Sequence, residues 1–384
     1  MKIVIAPDSY KGSLSALEVG KAIRSGIQRV DESIETVIAP MADGGEGTVQ
    51  SMVDATTGHI VNKIVHDPLF REIKSFYGIL GDQKTAVIEM AAASGLPLLK
   101  EDEKDPLKTT SFGTGELIKD AVEKGCTKII IGIGGSATND GGTGMARALG
   151  VRFLDETGNE IGFGGGELSR IHEVDVSGID PAIKNVEFIA ASDVDNPLCG
   201  PRGASRIYGP QKGASESDID ILDKGLAHFA RIVENELALD LMDFPGAGAA
   251  GGLGYAVMVF LNAKLENGID IVCEVTRLEE KMQGADLVIT GEGQIDSQTQ
   301  YGKTPYGVSK IAKKKNIPVV ALAGSLGHDY QKLYDKGFDA IFSIIDNPMK
   351  LDEAIDKTEE LLINSSEAVV RLWISSQVKI NNDN

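Results

Sequence analysis

The stretch Lys2-Ile3-Val4-Ile5-Ala6-Pro7-Asp8-Ser9-Tyr10-Lys11-Gly12-Ser13 sets the reading of the whole chain. Ile3–Ala6 is a short β-branched run of the kind that forms a buried strand, and Pro7-Asp8-Ser9 stops it. Leu14, Leu17, Ala22, Ile23 and Ile27 then recur at helical spacing, which predicts a helix from about Ser13 to Val30 with Ser13 as N-cap. A strand that feeds directly into an amphipathic helix is half of a βα unit. Glu35–Ala39 repeats the pattern, broken by Asp43-Gly44-Gly45-Glu46-Gly47 before a helix at about Thr48–Asp54. From about Asp286 the rhythm returns. Strands are predicted at Leu287–Thr290, Val319–Ala323 and Ala340–Ile345, and helices at Thr304–Lys315, His328–Lys336 and Leu351–Arg371.

The two ends together supply five strand–helix units, two before about residue 58 and three after about residue 280, the count of a flavodoxin-like, doubly wound parallel sheet. The middle reads differently. Ile60–Val65, Ile73–Ile79 and Thr85–Glu89 lie too close together for helical crossovers and suggest hairpins. Later come strands at Lys128–Ile133 and Val186–Ala191 and a long helix at Ser217–Leu239. The expectation is an α/β protein in which residues 1–58 and 280–384 form the five-stranded domain. Residues 59–279 form an inserted mixed α/β domain, with the active site in the cleft between the two. A tandem split near residue 150 is the rival arrangement.

Composition narrows the class. The 384 residues carry a formal net charge of −19, which argues against nucleic acid or an anionic membrane surface as partner. Glycine is abundant, with 45 residues clustered after apolar runs. Cys126, Cys199 and Cys273 are odd in number and far apart, and show no metal-ligand spacing, which fits a reducing, cytoplasmic setting. Ile3–Ala6 is too short for the apolar core of a secretory signal, and no run approaches a membrane span. Oligomeric state is not set by the sequence; a homodimer is one option.

In open parallel sheets, ligands bind beyond the carboxyl ends of the strands. Those ends carry Asp8, Ser9 and Lys11; Asp43 and Glu46; Gly291, Glu292 and Asp296; Gly324 and Ser325; and, in the middle segment, Gly134–Gly142 and Ser192-Asp193-Val194-Asp195. Any one such loop is ordinarily a turn with a helix cap. Repetition changes the reading, because carboxylates that converge on one rim repel each other unless a cation sits among them. Gly134, Gly135, Ser136, Thr138 and Asn139 suit a phosphate cradle, although no Walker A pattern occurs anywhere in the chain. Lys303 follows Glu292 and Asp296 at a helix start. An Asp and a Lys placed as Asp8 and Lys11 are suit phosphoryl transfer, one orienting or deprotonating a hydroxyl and the other offsetting charge. Arg202, Arg206 and Lys212 make a basic loop that could bind phosphate or a substrate carboxylate, or simply be a solvated surface. The five histidines show no metal-ligand pairing.

Five stretches together resemble the bacterial glycerate kinase family, of the type that includes 2-phosphoglycerate-forming enzymes. They are Ala6–Leu14, Met41–Thr48, Gly132–Gly142, Gly209-Pro210-Gln211-Lys212-Gly213-Ala214 and Thr290-Gly291-Glu292-Gly293-Gln294-Ile295-Asp296, in chain order. The resemblance implies ATP-dependent phosphorylation of D-glycerate and a flavodoxin-like domain interrupted by a second one. Residue roles rest on chemistry instead. Asp8, Lys11, Asp193 and Lys303 are the expected catalytic groups. Gly134, Gly135, Ser136, Thr138, Asn139 and Gly291 are expected to hold the nucleotide, and Asp43, Glu46, Glu292 and Asp296 to hold Mg2+. Two other classes remain open: a kinase of another small hydroxy acid or of the 3-hydroxyl, and a non-catalytic nucleotide-binding regulator.

Overall fold

The computed structural model describes residues 1–382, and the side chains of residues 1–376. Contacts divide the chain into two compact units. One comprises Met1–Asp43, Gln50–Thr56 and Ile269 onward; the other comprises Gly44–Val49 and Thr57–Gly268.

The first unit is built on a sheet of five strands, Lys2–Pro7, Glu35–Ile38, Leu287–Ile295, Val319–Leu326 and Ala340–Ser343. Numbered along the chain, their spatial order is 2-1-3-4-5, and every pairing is parallel. Ile3, Ile5, Leu287, Ile289 and Leu322 are fully buried, as expected of strands covered by helices. The helix Ala16–Val30 contributes Val19, Ile23 and Ile27 to that core. It starts later than the sequence suggested. Ser15 is the N-cap and forms a capping box with Glu18, whereas Ser13 Oγ donates to the carbonyl of Ile355, 2.9 Å away. The helix packs on Thr358–Asn382 at Gly26, where a Cβ would fall 2.1 Å from Ser366 Oγ.

Three further boundaries differ from expectation. The third strand does not end at Thr290. It runs through Gly291-Glu292-Gly293-Gln294-Ile295, paired with Leu322, Ala323, Ser325 and Leu326 of an equally extended neighbour. The single closing helix is two, Leu351–Asp356 and Thr358–Asn382. The segment predicted as a helix at His328–Lys336 is a 3-10 turn, Tyr330–Lys336.

The second unit holds a six-stranded sheet in the spatial order Lys264–Glu266, Glu187–Ala191, Lys128–Gly132, Thr85–Glu89, Glu72–Ile79, His59–His66. The first four are mutually parallel, and the last two fold back as the expected antiparallel hairpins. Because the four parallel strands point one way, Met90, Ile133–Gly142, Ser192-Asp193 and Asn267-Gly268 all emerge at the same edge. A separate antiparallel ribbon pairs Arg152–Leu154 with Glu173–Asp175.

Candidate functional site

The carboxyl edge of the five-stranded sheet gathers three acids. Asp8 follows the first strand, and its backbone N–H donates to Gly291 O, 2.8 Å away. Its Oδ1 accepts from Ser9 N at 2.6 Å, and its Oδ2 accepts a short hydrogen bond from Thr304 Oγ1. Burial, and then the neighbouring Asp43, push the Asp8 carboxyl up to about 6. Glu292 projects from the extended third strand. Burial raises it to about 7 against the opposing pull of Lys303, whose Nζ lies 3.6 Å from Oε2, and of Thr299 Oγ1, which donates to Oε1 at 2.8 Å. Asp8 and Asp43 add to that rise by like-charge repulsion. Asp8, Asp43 and Glu292 therefore form one electrostatic group with Lys303 as its nearby cation.

The other expected residues of this unit differ in their surroundings. Lys303 is the N-cap of the helix Thr304–Lys314, which carries Pro305 in its first turn. Lys11 is exposed in the turn after Tyr10. Asp296 is engaged locally: it caps the 3-10 turn Ser297–Gln300, its Oδ1 accepting from Gln298 N at 2.8 Å and its Oδ2 from Gln294 Nε2 at 3.2 Å. Gly291 is buried within its strand. A Cβ there would sit 2.1 Å from Leu322 O and 3.1 Å from the Tyr10 hydroxyl, which itself donates to Leu322 O at 2.9 Å. Packing thus accounts for that glycine. Among the described residues no group of three or more His, Cys, Asp or Glu is arranged to cage a metal ion. A Mg2+ bound chiefly through nucleotide phosphates needs only one or two carboxylates, so the acidic group still suits it.

In the second unit, the loop after Lys128–Gly132 divides in two. Gly134 and Gly135 are exposed, with Gly135 left-handed at φ 74°. Ser136 through Asp140 are buried. The turn is tied down from both sides, since Leu96 N donates to Gly135 O at 3.0 Å and Ala137 N to Ser94 O at 2.9 Å. Asp140 is fully buried and faces inward. Its carboxylate accepts from Ser111 N and Ser111 Oγ, each at 2.8 Å, and from the N–H groups of Gly142 and Gly144, which accounts for it as a cap. Asn139 Nδ2 donates to Ser205 Oγ at 2.9 Å.

The basic loop separates by environment. Arg202 pairs with Asp195 at 3.0 Å and Arg206 with Asp220 at 2.9 Å, both on the surface. Lys212 is only 1% exposed and donates to Ser136 Oγ at 2.7 Å and to Thr138 O at 2.6 Å. Burial pushes its ammonium down to about 7, opposed by the nearby Asp140. In the sequence Lys212 stood with Arg202 and Arg206 in a loop open to two readings, an anion-binding loop or a solvated surface, and the signal that separates it from them is three-dimensional. Glu89 was missed for the same reason. It is 8% exposed, accepts from Val49 N at 2.8 Å at the start of the helix Thr48–Thr56, and is raised by burial. Glu46, in the same short segment, is exposed and adds to that rise. Asp193 is exposed at the same sheet edge as Gly134, with Oδ1 accepting from Gly268 N at 3.1 Å.

A sequence profile of the glycerate kinase family matches residues 3–374. The chain belongs to the glycerate kinase family. It is a kinase, then, and its relatives are close across nearly their whole length. A protein of Bacillus subtilis (strain 168) named glycerate kinase is 53% identical over 94% of this chain and 95% of its own. One of Escherichia coli (strain K12) named glycerate 2-kinase is 54% identical over 92% and 93%. A crystal structure from Salmonella typhimurium LT2, provisionally assigned as glycerate kinase 2, superposes with a TM-score of 0.91 at 48% identity, covering 98% of this chain and 99% of that one. Among the described residues no helix is long and apolar enough to cross a membrane.

Proposed function

We propose that this chain transfers the γ-phosphoryl group of ATP directly to the 2-hydroxyl of D-glycerate, giving 2-phosphoglycerate and ADP. One observation carries the chemistry: Asp8, Asp43 and Glu292 share the carboxyl edge of an all-parallel sheet with one lysine, in a chain whose family is glycerate kinase. The name of the Escherichia coli relative favours the 2-position.

Asp8 is the group proposed to orient and deprotonate the attacking hydroxyl. A carboxylate near 6 is mostly ionised at neutral pH yet basic enough to take a proton in the transition state. Thr304 and Ser9 hold its two oxygens in a fixed orientation. Lys303 and Lys11 offset negative charge on the transferred group, which is most of what a protein supplies to phosphoryl transfer. Asp43, with Glu292, is proposed to face the magnesium that accompanies the nucleotide; when bound, that ion neutralises phosphate charge. Asp296 and Glu46 are left out of this set, the first because its oxygens serve a cap and the second because the acid it acts on is Glu89. Gly134, Gly135 and Ser136 are proposed to receive nucleotide phosphates, with Thr138 and Asn139 shaping the turn. Asp193, exposed beside Gly268, is the second candidate for the glycerate hydroxyl.

The strand order 2-1-3-4-5 supports reading the five-stranded domain as flavodoxin-like and doubly wound. Three free cysteines support a cytoplasmic setting. The function is tested by ADP release across a panel of small hydroxy acids, with and without Mg2+. Turnover with D-glycerate that needs the metal is expected. Preference for another hydroxy acid, or no ADP release with any of them, would overturn the assignment.

A further inference from the structure

The Gly134–Gly142 loop contains more polar capacity than the protein uses. Thr138 Oγ1 and Asn139 Oδ1 are buried without a hydrogen-bond partner, although buried polar atoms are almost always paired. Ser136 Oγ accepts from Lys212 Nζ, and no second hydrogen bond to that hydroxyl is present among the described residues. Lys212 has three N–H groups, of which two are engaged, by Ser136 Oγ and Thr138 O. Among the described residues no carboxylate lies within salt-bridge distance of Nζ, although a buried ammonium without a counter-charge is costly. Asp140, the nearby acid, has its oxygens committed to Ser111, Gly142 and Gly144.

We propose that Lys212 is a positioning residue for a phosphate group bound at the Gly134–Ser136 turn. Its ammonium occupies the acceptor side of Ser136 Oγ, so that the serine hydrogen is left to donate to a phosphate oxygen. It also sets a positive charge against Ser136, the residue that follows the exposed glycines. The missing counter-charge is the ligand itself, which explains why the fold keeps a lysine where a methionine would pack without the electrostatic cost. This rests on the reading of that turn as the nucleotide's phosphate site and adds to it the group that makes the turn attract anions.

The test uses the full-length protein and its Ser136→Ala and Lys212→Met variants. The readouts are the dissociation constant for inorganic pyrophosphate and the separate kcat and KM for ATP. Lys212→Met is expected to weaken pyrophosphate binding tenfold or more and to raise the KM for ATP to match. Its melting temperature without ligand should stay at or above that of the parent, because a buried charge has gone. Ser136→Ala should move both constants in the same direction by a smaller factor, and it serves as the informative variant if Lys212→Met does not fold. If Ser136→Ala weakens both constants while a folded Lys212→Met leaves them unchanged, the role of the lysine is overturned and the phosphate turn stands. If both folded variants leave both constants unchanged, the turn is not the phosphate site, and the lysine's role falls with it.

Discussion

The acidic edge of the five-stranded sheet and the Gly134–Gly142 loop of the other unit are electrostatic opposites. The first holds Asp8, Asp43 and Glu292 together with Lys303 as the near cation, and the Asp8 and Glu292 carboxyls are pushed up. The second holds one buried ammonium with no carboxylate in contact among the described residues, and that ammonium is pushed down. Either arrangement alone lowers stability, because a charge kept from water without a partner is unfavourable. Under the proposed function each region is complete only with something of opposite sign: a cation and a hydroxyl at the first, an anion at the second. The difference also predicts opposite pH slopes. Asp8 and Glu292 have folded values above their unfolded ones, so their stabilising contribution is present below about pH 4 and lost as pH rises through about 6 to 7. Lys212 has a folded value below its unfolded one, so its contribution is present above about pH 10 and lost as pH falls through about 7.

The largest effect belongs to Asp8. Asp8→Asn should lower kcat by about 100-fold or more with little change in the KM for ATP, the usual loss for a positioned base. The contrast with the Gly134–Ser136 turn breaks if the change falls on KM instead. Next come the cations of the acidic edge. Lys11→Ala and Lys303→Ala should each lower kcat by roughly tenfold or more, as expected for groups that offset developing charge. An effect confined to the KM for ATP would make either one a nucleotide-binding group.

Glu292→Gln sharpens the comparison through stability. It should raise the melting temperature by roughly 2–4 °C at pH 8, where the native carboxylate is ionised, and by much less at pH 4, where it is already neutral. An equal shift at both values would show that packing and not charge is responsible. The smallest effect is a control. Ser15→Ala removes the capping box of Ala16–Val30 and should lower stability by about 1 kcal/mol at every pH tested, leaving kinetics unchanged. A pH slope in that variant would mean that the slopes assigned to the two charged regions have another origin.

The scaffold of the acidic edge was readable because its signals are local. Ile3–Ala6 followed by a helical repeat, and the same rhythm after residue 286, suffice to predict parallel strands. The Gly291–Ile295 segment misled because glycine and glutamate depress strand propensity; its pairing with Ala323–Leu326 overrides that preference. Ser13 and Ser15 are equally good caps by type, and only the position of Glu18 three residues after Ser15 separates them. The candidate acids Asp8, Asp43 and Glu292 stood at legible positions. Lys212 and Glu89 did not, because their burial comes from contacts with chain 76 and 40 residues away. In the linear sequence Lys212 is one of three basic residues near residue 206, and only its place in the stretch Gly209-Pro210-Gln211-Lys212-Gly213-Ala214 sets it apart from Arg202 and Arg206.

The 31P NMR spectrum of the chain incubated with ATP, Mg2+ and D-glycerate tests the central claim most directly. The account predicts that the γ-phosphate signal disappears only when D-glycerate is present. It should be replaced by ADP signals and a phosphomonoester split into a doublet by the single C2 proton. A triplet from the two C3 protons would move the reaction to the other hydroxyl, and free phosphate without a phosphomonoester would contradict the account.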